Sequence, residues 1–189
     1  MTGQQDNGNG SLMRLLPLAL WHQSDDAALV ADAMAQSPPT HGHLCSRVCC
    51  TLYALWARRL LQVHDEAWPD AVRSVQLLTA GIHGAAEELE WSICPLAQEP
   101  ARGTGNVVDS LRAAVQLQAL ADYQSIVRAA VALGHDTDTT ACIAGVRLGV
   151  AAAPVDWRER LRGRMLPDAL PARLLASRGL PEPPVTELA

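Results

Sequence analysis

The segment Gly134-His135-Asp136-Thr137-Asp138-Thr139-Thr140 holds the densest chemistry in this chain. Asp136 and Asp138 are one residue apart and Thr139 follows at once, so three hard oxygen donors fall within one turn. Mg²⁺ and Mn²⁺ favour such oxygen sets. The next ten residues, ACIAGVRLGV, suit a buried helix, which would hold the donors at its rigid N-terminal end. A helix N-terminus also favours acidic residues without any metal, so an acidic cap is the competing structural reading. A second segment is Gly8-Asn9-Gly10-Ser11-Leu12-Met13-Arg14-Leu15-Leu16-Pro17-Leu18. Its two glycines around Asn9 let backbone amides turn toward an anion at the start of a helix; a flexible turn with an N-cap is the alternative. A third is Thr40-His41, after Pro38-Pro39 and opening a long helix. A histidine there suits a cap or the surface as readily as a ligand.

The elements that must position these groups are all helical. Hydrophobic residues make up 49% of the 189, but many are Ala, Phe is absent and aromatics reach 4%, a composition for helices packed closely through small side chains. A helix is expected from Ser11 to about His22, kinked or split by Pro17. Ser24 is expected to cap another reaching about Gln36. From His43 to about Gln62, Leu44, Val48, Leu52 and Leu55 recur at helical spacing, with Arg47, Arg58 and Arg59 off that stripe. Pro69 opens the next helix, with Val72, Val75 and Leu78 inside and Gly81 ending it. Further helices are expected over Ala85–Trp91, Val107–Leu120, Asp122–Gly134 and, near the C-terminus, 157–163 and 167–178. Pro95, Pro100, Gly103 and Gly105 mark an internal loop. Gly145 and Gly149 share a face with Ala141, at a cost of about 1 kcal/mol per glycine; a neighbouring backbone is expected to come close there, around a central helix. One helical domain over residues 1–178 and a disordered tail over 179–189 are expected.

A net charge of −5 argues against general nucleic-acid binding. Every basic residue is Arg, and the cluster Arg158, Arg160, Arg162, Arg164 reads as a solvated helix face. No apolar run is long enough to span a bilayer. Five cysteines without a Cys-x-x-Cys pair read as free thiols in a reducing cytoplasm. A zinc module built from His41, His43, Cys45 and Cys49 is a further possibility, since Cys45 and Cys49 share a helical face.

Taken in order, the Gly8–Leu18 segment, Thr40-His41, Gly105-Asn106-Val107-Val108-Asp109-Ser110-Leu111, the lead-in Val131-Ala132-Leu133-Gly134 and the acidic segment resemble the second half of an ADP-ribosylglycohydrolase. That family carries Gly-Asn-Gly-Ser-x-Met-Arg-x-x-Pro-Leu, a Thr-His pair, and Gly-Gly-Asp-x-Asp-Thr before a small-residue helix. The resemblance covers roughly Gly8 to Leu161. It implies an all-α fold with a dinuclear Mg²⁺ (or Mn²⁺) centre, cleaving the glycosidic bond between ADP-ribose and an acceptor on a protein or small molecule. By similarity, Asp136, Asp138 and Thr139 are metal ligands. Asn9, Gly10 and Ser11 line the ADP-ribose site, with His41 near it.

The chain departs from the family in three places. The family's Thr-Asp-Asp-Thr element is absent from this sequence, His135 stands where the second glycine is usual, and Ala132 stands where Asn is common. The resemblance therefore implies an N-terminally truncated domain with an incomplete metal site, weak or inactive alone and completed by a separate N-terminal half. Exposed apolar helix faces would follow. The alternative is a non-catalytic ADP-ribose-binding or structural relative.

Overall fold

The computed structural model describes residues 7–94, 99–146, 153–160, 162 and 173. Ten α-helices and one π-helical segment occur among them: α1 Gly10–Met13, α2 Leu16–Trp21, α3 Asp26–Ala35, α4 Leu44–Leu61, α5 Ala67–Leu78, α6 Ala85–Glu87, the π segment Glu88–Ile93, α7 Val107–Leu117, α8 Tyr123–Ala132, α9 Thr137–Ala144 and α10 Val155–Glu159. The all-α expectation holds, and among the described residues the nearest thing to a sheet is one antiparallel bridge, Gly8 with Asn106. The chain divides into two compact units, 1–152 and 153–189. The tail 179–189 and nearly all of the helix expected over 167–178 lie outside the described residues. In the second unit, α10 ends at Glu159, and Arg160 and Arg162 are exposed.

In the first unit, α4 is the axis. Its residues from Cys45 to Arg58, Arg47 excepted, are buried, and α1, α2, α3, α5, α7 and the π segment all pack on it. The central helix is thus α4 rather than the one after the acidic segment. That helix, α9, packs instead against α7, α8 and α1. Two bonds seat it: Tyr53 on α4 donates to Ile143 O (3.1 Å), and Gln118 beyond α7 donates to Ala144 O (3.1 Å). These occupy carbonyls at the helix end that have no partner within the helix. Burial pushes the Tyr53 hydroxyl well above its ordinary pKa, so it stays a donor.

Several boundaries differ from expectation. Around Pro17 the expected helix is split rather than kinked: α1 ends at Met13, and Pro17 sits in the first turn of α2, where its missing N–H costs nothing. Asp25, not Ser24, caps α3 by accepting from Ala28 N at 2.8 Å, which puts Asp26 in the first turn facing the arginines of α4. The α5 core face is Ala67, Ala71 and Val75; Leu78 is exposed, and α5 stops at Leu78 rather than Gly81. Val131 on α8 is also exposed. Past α6 the chain widens into a π turn, closed by Cys94 N donating to Leu89 O at 2.7 Å, which keeps Leu89 and Ile93 buried together. Asp122 caps α8 as expected, accepting from Ser125 N at 2.8 Å.

Arg58 and Arg59 are not surface residues. Arg58 is 8% exposed, donating to Asp26 Oδ1 (2.9 Å) and to His22 O (3.2 Å). Arg59 donates to both Asp26 and Asp70. Pairing with two helices is what permits burial of these charges. Large apolar side chains at the surface include Met13, Trp21, Val63, Leu77 and Trp91. Among the described residues, no helix is long and apolar enough to cross a membrane.

Candidate functional site

Three sequence segments far apart in the chain meet at one junction. Residues 7–9 run antiparallel to 105–107: Asn9 N donates to Gly105 O (3.0 Å) and Val107 N to Asn7 O (2.8 Å). This pairing leaves Asn9 7% exposed, so the segment Gly8-Asn9-Gly10 is a built part of the fold. The Asn9 side-chain amide then donates twice, to Ser110 Oγ (2.9 Å) and to Asp136 Oδ2 (2.8 Å).

Asp136 occupies the N-cap position of α9, yet its side chain caps nothing there. The carboxylate turns to Asn9 instead, while its backbone N–H donates to Gly103 O at 3.0 Å. A plain acidic cap would do the opposite and accept from its own helix amides. Asp138 lies in the first turn of α9 and is exposed; Thr139 beside it is half-buried. The next residue, Thr140, is fully buried with a hydroxyl that makes no hydrogen bond. Sequence reasoning passed over it in favour of Thr139.

The turn into this segment is tight. Gly134 and His135 both have positive φ, 81° and 55°. Glycine adopts that region freely, whereas for a side-chain-bearing residue it costs about 1–2 kcal/mol. The His135 side chain itself is exposed.

His41 lies against the glycine loop. A Cβ on Gly10 would come within 2.8 Å of His41 Cε1, and one on Gly8 within 3.0 Å of Nε2, so both glycines are needed for the ring to seat. The imidazole Nδ1 is 2.8 Å from Thr40 Oγ1, and Ser37 Oγ donates to His41 O at 2.7 Å. Ser11 is fully buried; its hydroxyl accepts from Cys50 Sγ (3.5 Å) and its carbonyl from Gln36 Nε2 (3.3 Å). Gln36 is in turn held by Arg14, through Nε to Oε1 at 2.9 Å. The Gly8–Arg14 loop is therefore clamped to α3 and α4.

Thus Asn9 and Asp136 are joined directly, and Gly10 and His41 are in contact. The sequence reading placed Asp109 and Ser110 in the family pattern without a role at the site and did not single out Thr104; all three support the junction from α7 and the loop before it. Asn106 is their visible signal: it caps α7, accepting from Val108 N (2.9 Å), and such a cap fixes where the next turn must point. An added Cβ on Gly145 would meet Ala141 O of its own helix (3.2 Å) and the ring of Tyr123 (3.4 Å), so the neighbouring element approaches with a side chain rather than the expected backbone; Gly149 lies outside the described residues.

The zinc arrangement does not form. His43 caps α4 by accepting from Cys45 N (3.2 Å), His41 faces the glycines, and Cys45 and Cys49 are buried in the core. Burial holds the Cys49 thiol well above its ordinary pKa. Among the described residues no three His, Cys, Asp or Glu side chains form a metal-holding group, and the five cysteines are free.

An all-α scaffold with an oxygen-rich acidic turn locked to a glycine loop defines the class of protein. The model of the ADP-ribosylglycohydrolase family matches residues 1–184, and the chain belongs to that family. It is 28% identical over 161 residues to ADP-ribosylarginine hydrolase Tri1 of Pseudomonas putida (strain GB-1). That alignment takes in 82% of this chain and 42% of the relative, so the chain spans less than half the length of the protein it resembles.

Proposed function

We propose that this chain supplies the glycine loop and the acidic turn of a hydrolase that cleaves the bond between ADP-ribose and its acceptor. The observation that carries the reading is the bond from Asn9 to Asp136, which joins two segments of the family pattern into one site. The relative's name makes an arginine-linked ADP-ribose the first acceptor to try. The free thiols suit a protein working in a reducing cytoplasm.

The donor types suit a hard divalent cation. Asp136 keeps its second carboxylate oxygen beyond the one given to Asn9, Asp138 is exposed beside it, and the Thr139 and Thr140 hydroxyls share the helix end. Two carboxylates are few for two ions, so Mg²⁺ or Mn²⁺ would need ligands beyond Asp136, Asp138 and Thr139. A bound pair of such cations supplies charge stabilisation at the ribose. The chain's own part is to orient: Asn9 fixes Asp136, and the segment Gly10-Ser11 would offer backbone amides to an anion such as the pyrophosphate, with His41 alongside. We further propose that an N-terminal portion like that of longer family members completes the ligand set.

Full-length protein titrated with Mn²⁺ and with ADP-ribose tests the reading. Binding of both, with Mn²⁺ lost in Asp136→Asn, is expected, as is cleavage of an ADP-ribosylated arginine peptide once the missing ligands are supplied. Failure to bind either ligand would sink it. The small number of carboxylates at the junction also favours a second reading, a non-catalytic ADP-ribose binder. ADP-ribose affinity that ignores Mn²⁺ and Asp136→Asn would select that reading.

A further inference from the structure

The loop 102–105 runs between the two halves of the junction and touches both. Gly103 O accepts from Asp136 N and Gly105 O from Asn9 N, each at 3.0 Å. The alternate residues of the loop point the other way, toward one side chain. Asp109, 8% exposed, accepts from Arg102 N through Oδ1 (3.0 Å), and from Thr104 N (2.7 Å) and Thr104 Oγ1 (2.8 Å) through Oδ2. A further tie comes from Ser110, which donates to Thr104 O at 3.2 Å while accepting from Asn9. The loop cannot retreat toward α8, because Gly103 has φ +72° and a Cβ there would lie 2.7 Å from Leu133 Cβ. Nor does α7 need Asp109 to begin, since Asn106 already accepts from Val108 N and Asp109 N.

We propose that Asp109 is a positioning residue for the candidate site. It sets the separation of Asn9 and Asp136 by holding the strap between them, although its carboxylate bonds to neither. A carboxylate suits the task because three donors converge on it, and only an acceptor with two free oxygens satisfies them all. The consequence for ligand binding rests on the metal-holding reading of Asp136; the consequence for geometry does not.

Asp109→Asn keeps the shape but turns one acceptor into a donor. In the full chain, amide hydrogen exchange at Asn9 and Asp136 is expected to speed up about tenfold relative to α4 amides, and Mn²⁺ broadening at Asp136 to need about tenfold more metal. The comparison variant is Ile126→Val, which trims the core under α8 and leaves the strap alone. A merely structural Asp109 would raise exchange at those two amides no more than Ile126→Val does, relative to α4, and that result overturns the proposal. Should wild type fail to bind Mn²⁺, the metal reading falls while the exchange ratios still decide the role of Asp109. If Asp109→Asn does not fold, Thr104→Val deletes the two bonds of the hydroxyl, one to Asp109 Oδ2 (2.8 Å) and a long one from Asn106 N (3.4 Å). Exchange at the same two amides should then rise roughly threefold, and an unchanged rate would overturn the proposal.

Discussion

The two ends of α4 treat acidic residues in opposite ways. At the C-terminal end, Asp26 and Asp70 are taken up by Arg58 and Arg59, and each arginine reaches another helix or loop. At the N-terminal end lie the glycine loop, His41 and the acidic turn. There Asp136 receives a neutral amide from Asn9. The ion pairs among the described residues involve Asp26, Asp32, Glu66, Asp70, Glu99 and Asp109, but neither Asp136 nor Asp138. Charge at one end is consumed in holding helices together. At the other, Asp136 is oriented by a neutral amide, as the proposed cation role requires.

The sharpest break in this contrast is Arg59→Ala. Asp26 would be left with Arg58 alone and Asp70 with Arg73 alone, in a half-buried place, and urea unfolding should show a loss of about 2 kcal/mol. Mn²⁺ affinity at the other end should be unchanged in the protein that remains folded. A loss under about 0.5 kcal/mol, the ordinary size of a surface substitution, would mean the pairs are decorative.

The next effect is acid lability. The Arg59 guanidinium holds Asp26 and Asp70 below their ordinary carboxylate values. A carboxylate with a depressed folded-state pKa contributes stability at pH above its unfolded value, and that contribution is lost as pH falls through the folded one. Unfolding free energy should therefore drop on acidification below about pH 4. The drop should be shallower in Asp26→Asn, as chemical denaturation over a pH series would reveal; equal slopes would contradict the pairing.

The acidic turn should respond in the reverse sense. Mn²⁺ at tenfold its dissociation constant should stabilise wild type by about 1.4 kcal/mol, and Asp136→Asn should abolish that gain. Without metal, the same substitution should cost no more than about 1 kcal/mol, the worth of one hydrogen bond. The smallest effect is His135→Gly. Relief of the positive φ at 55° is offset by the freer unfolded chain, leaving a gain of about 0.5 kcal/mol in thermal unfolding.

Much of the helical framework could be read from the sequence because its signals are local. Asp122 as a cap and the stripe Leu44, Val48, Leu52, Leu55 depend on neighbours three or four residues away. The burial of Arg58 could not be read that way, since the partners that permit it, Asp26 and His22, come from other elements. Leu78 failed for a related reason: periodicity predicts a face but not where the neighbouring helix stops covering it. The site segments were legible as a family pattern, whereas the bond between Asn9 and Asp136 spans 127 positions and leaves no trace in local spacing. Asp109 was legible as part of the family pattern but its role was not, because the donors that reveal it are backbone and hydroxyl groups of a loop whose path only the fold defines.

The bridge between Gly8 and Asn106 has a consequence for how the molecule is made. The helices α3, α4 and α5 can dock as they emerge, since each meets its neighbour within a short stretch of chain. Asn9 must wait for Ser110 and then for Asp136, 101 and 127 positions later. At about 5–20 residues per second, the longer interval is roughly 6–25 s of synthesis. Closing so long a loop is entropically costly, though each doubling of length adds only about 0.6 kcal/mol. During that interval residues 7–9 have no site to join, and assembly of the junction is among the last events in the birth of the fold.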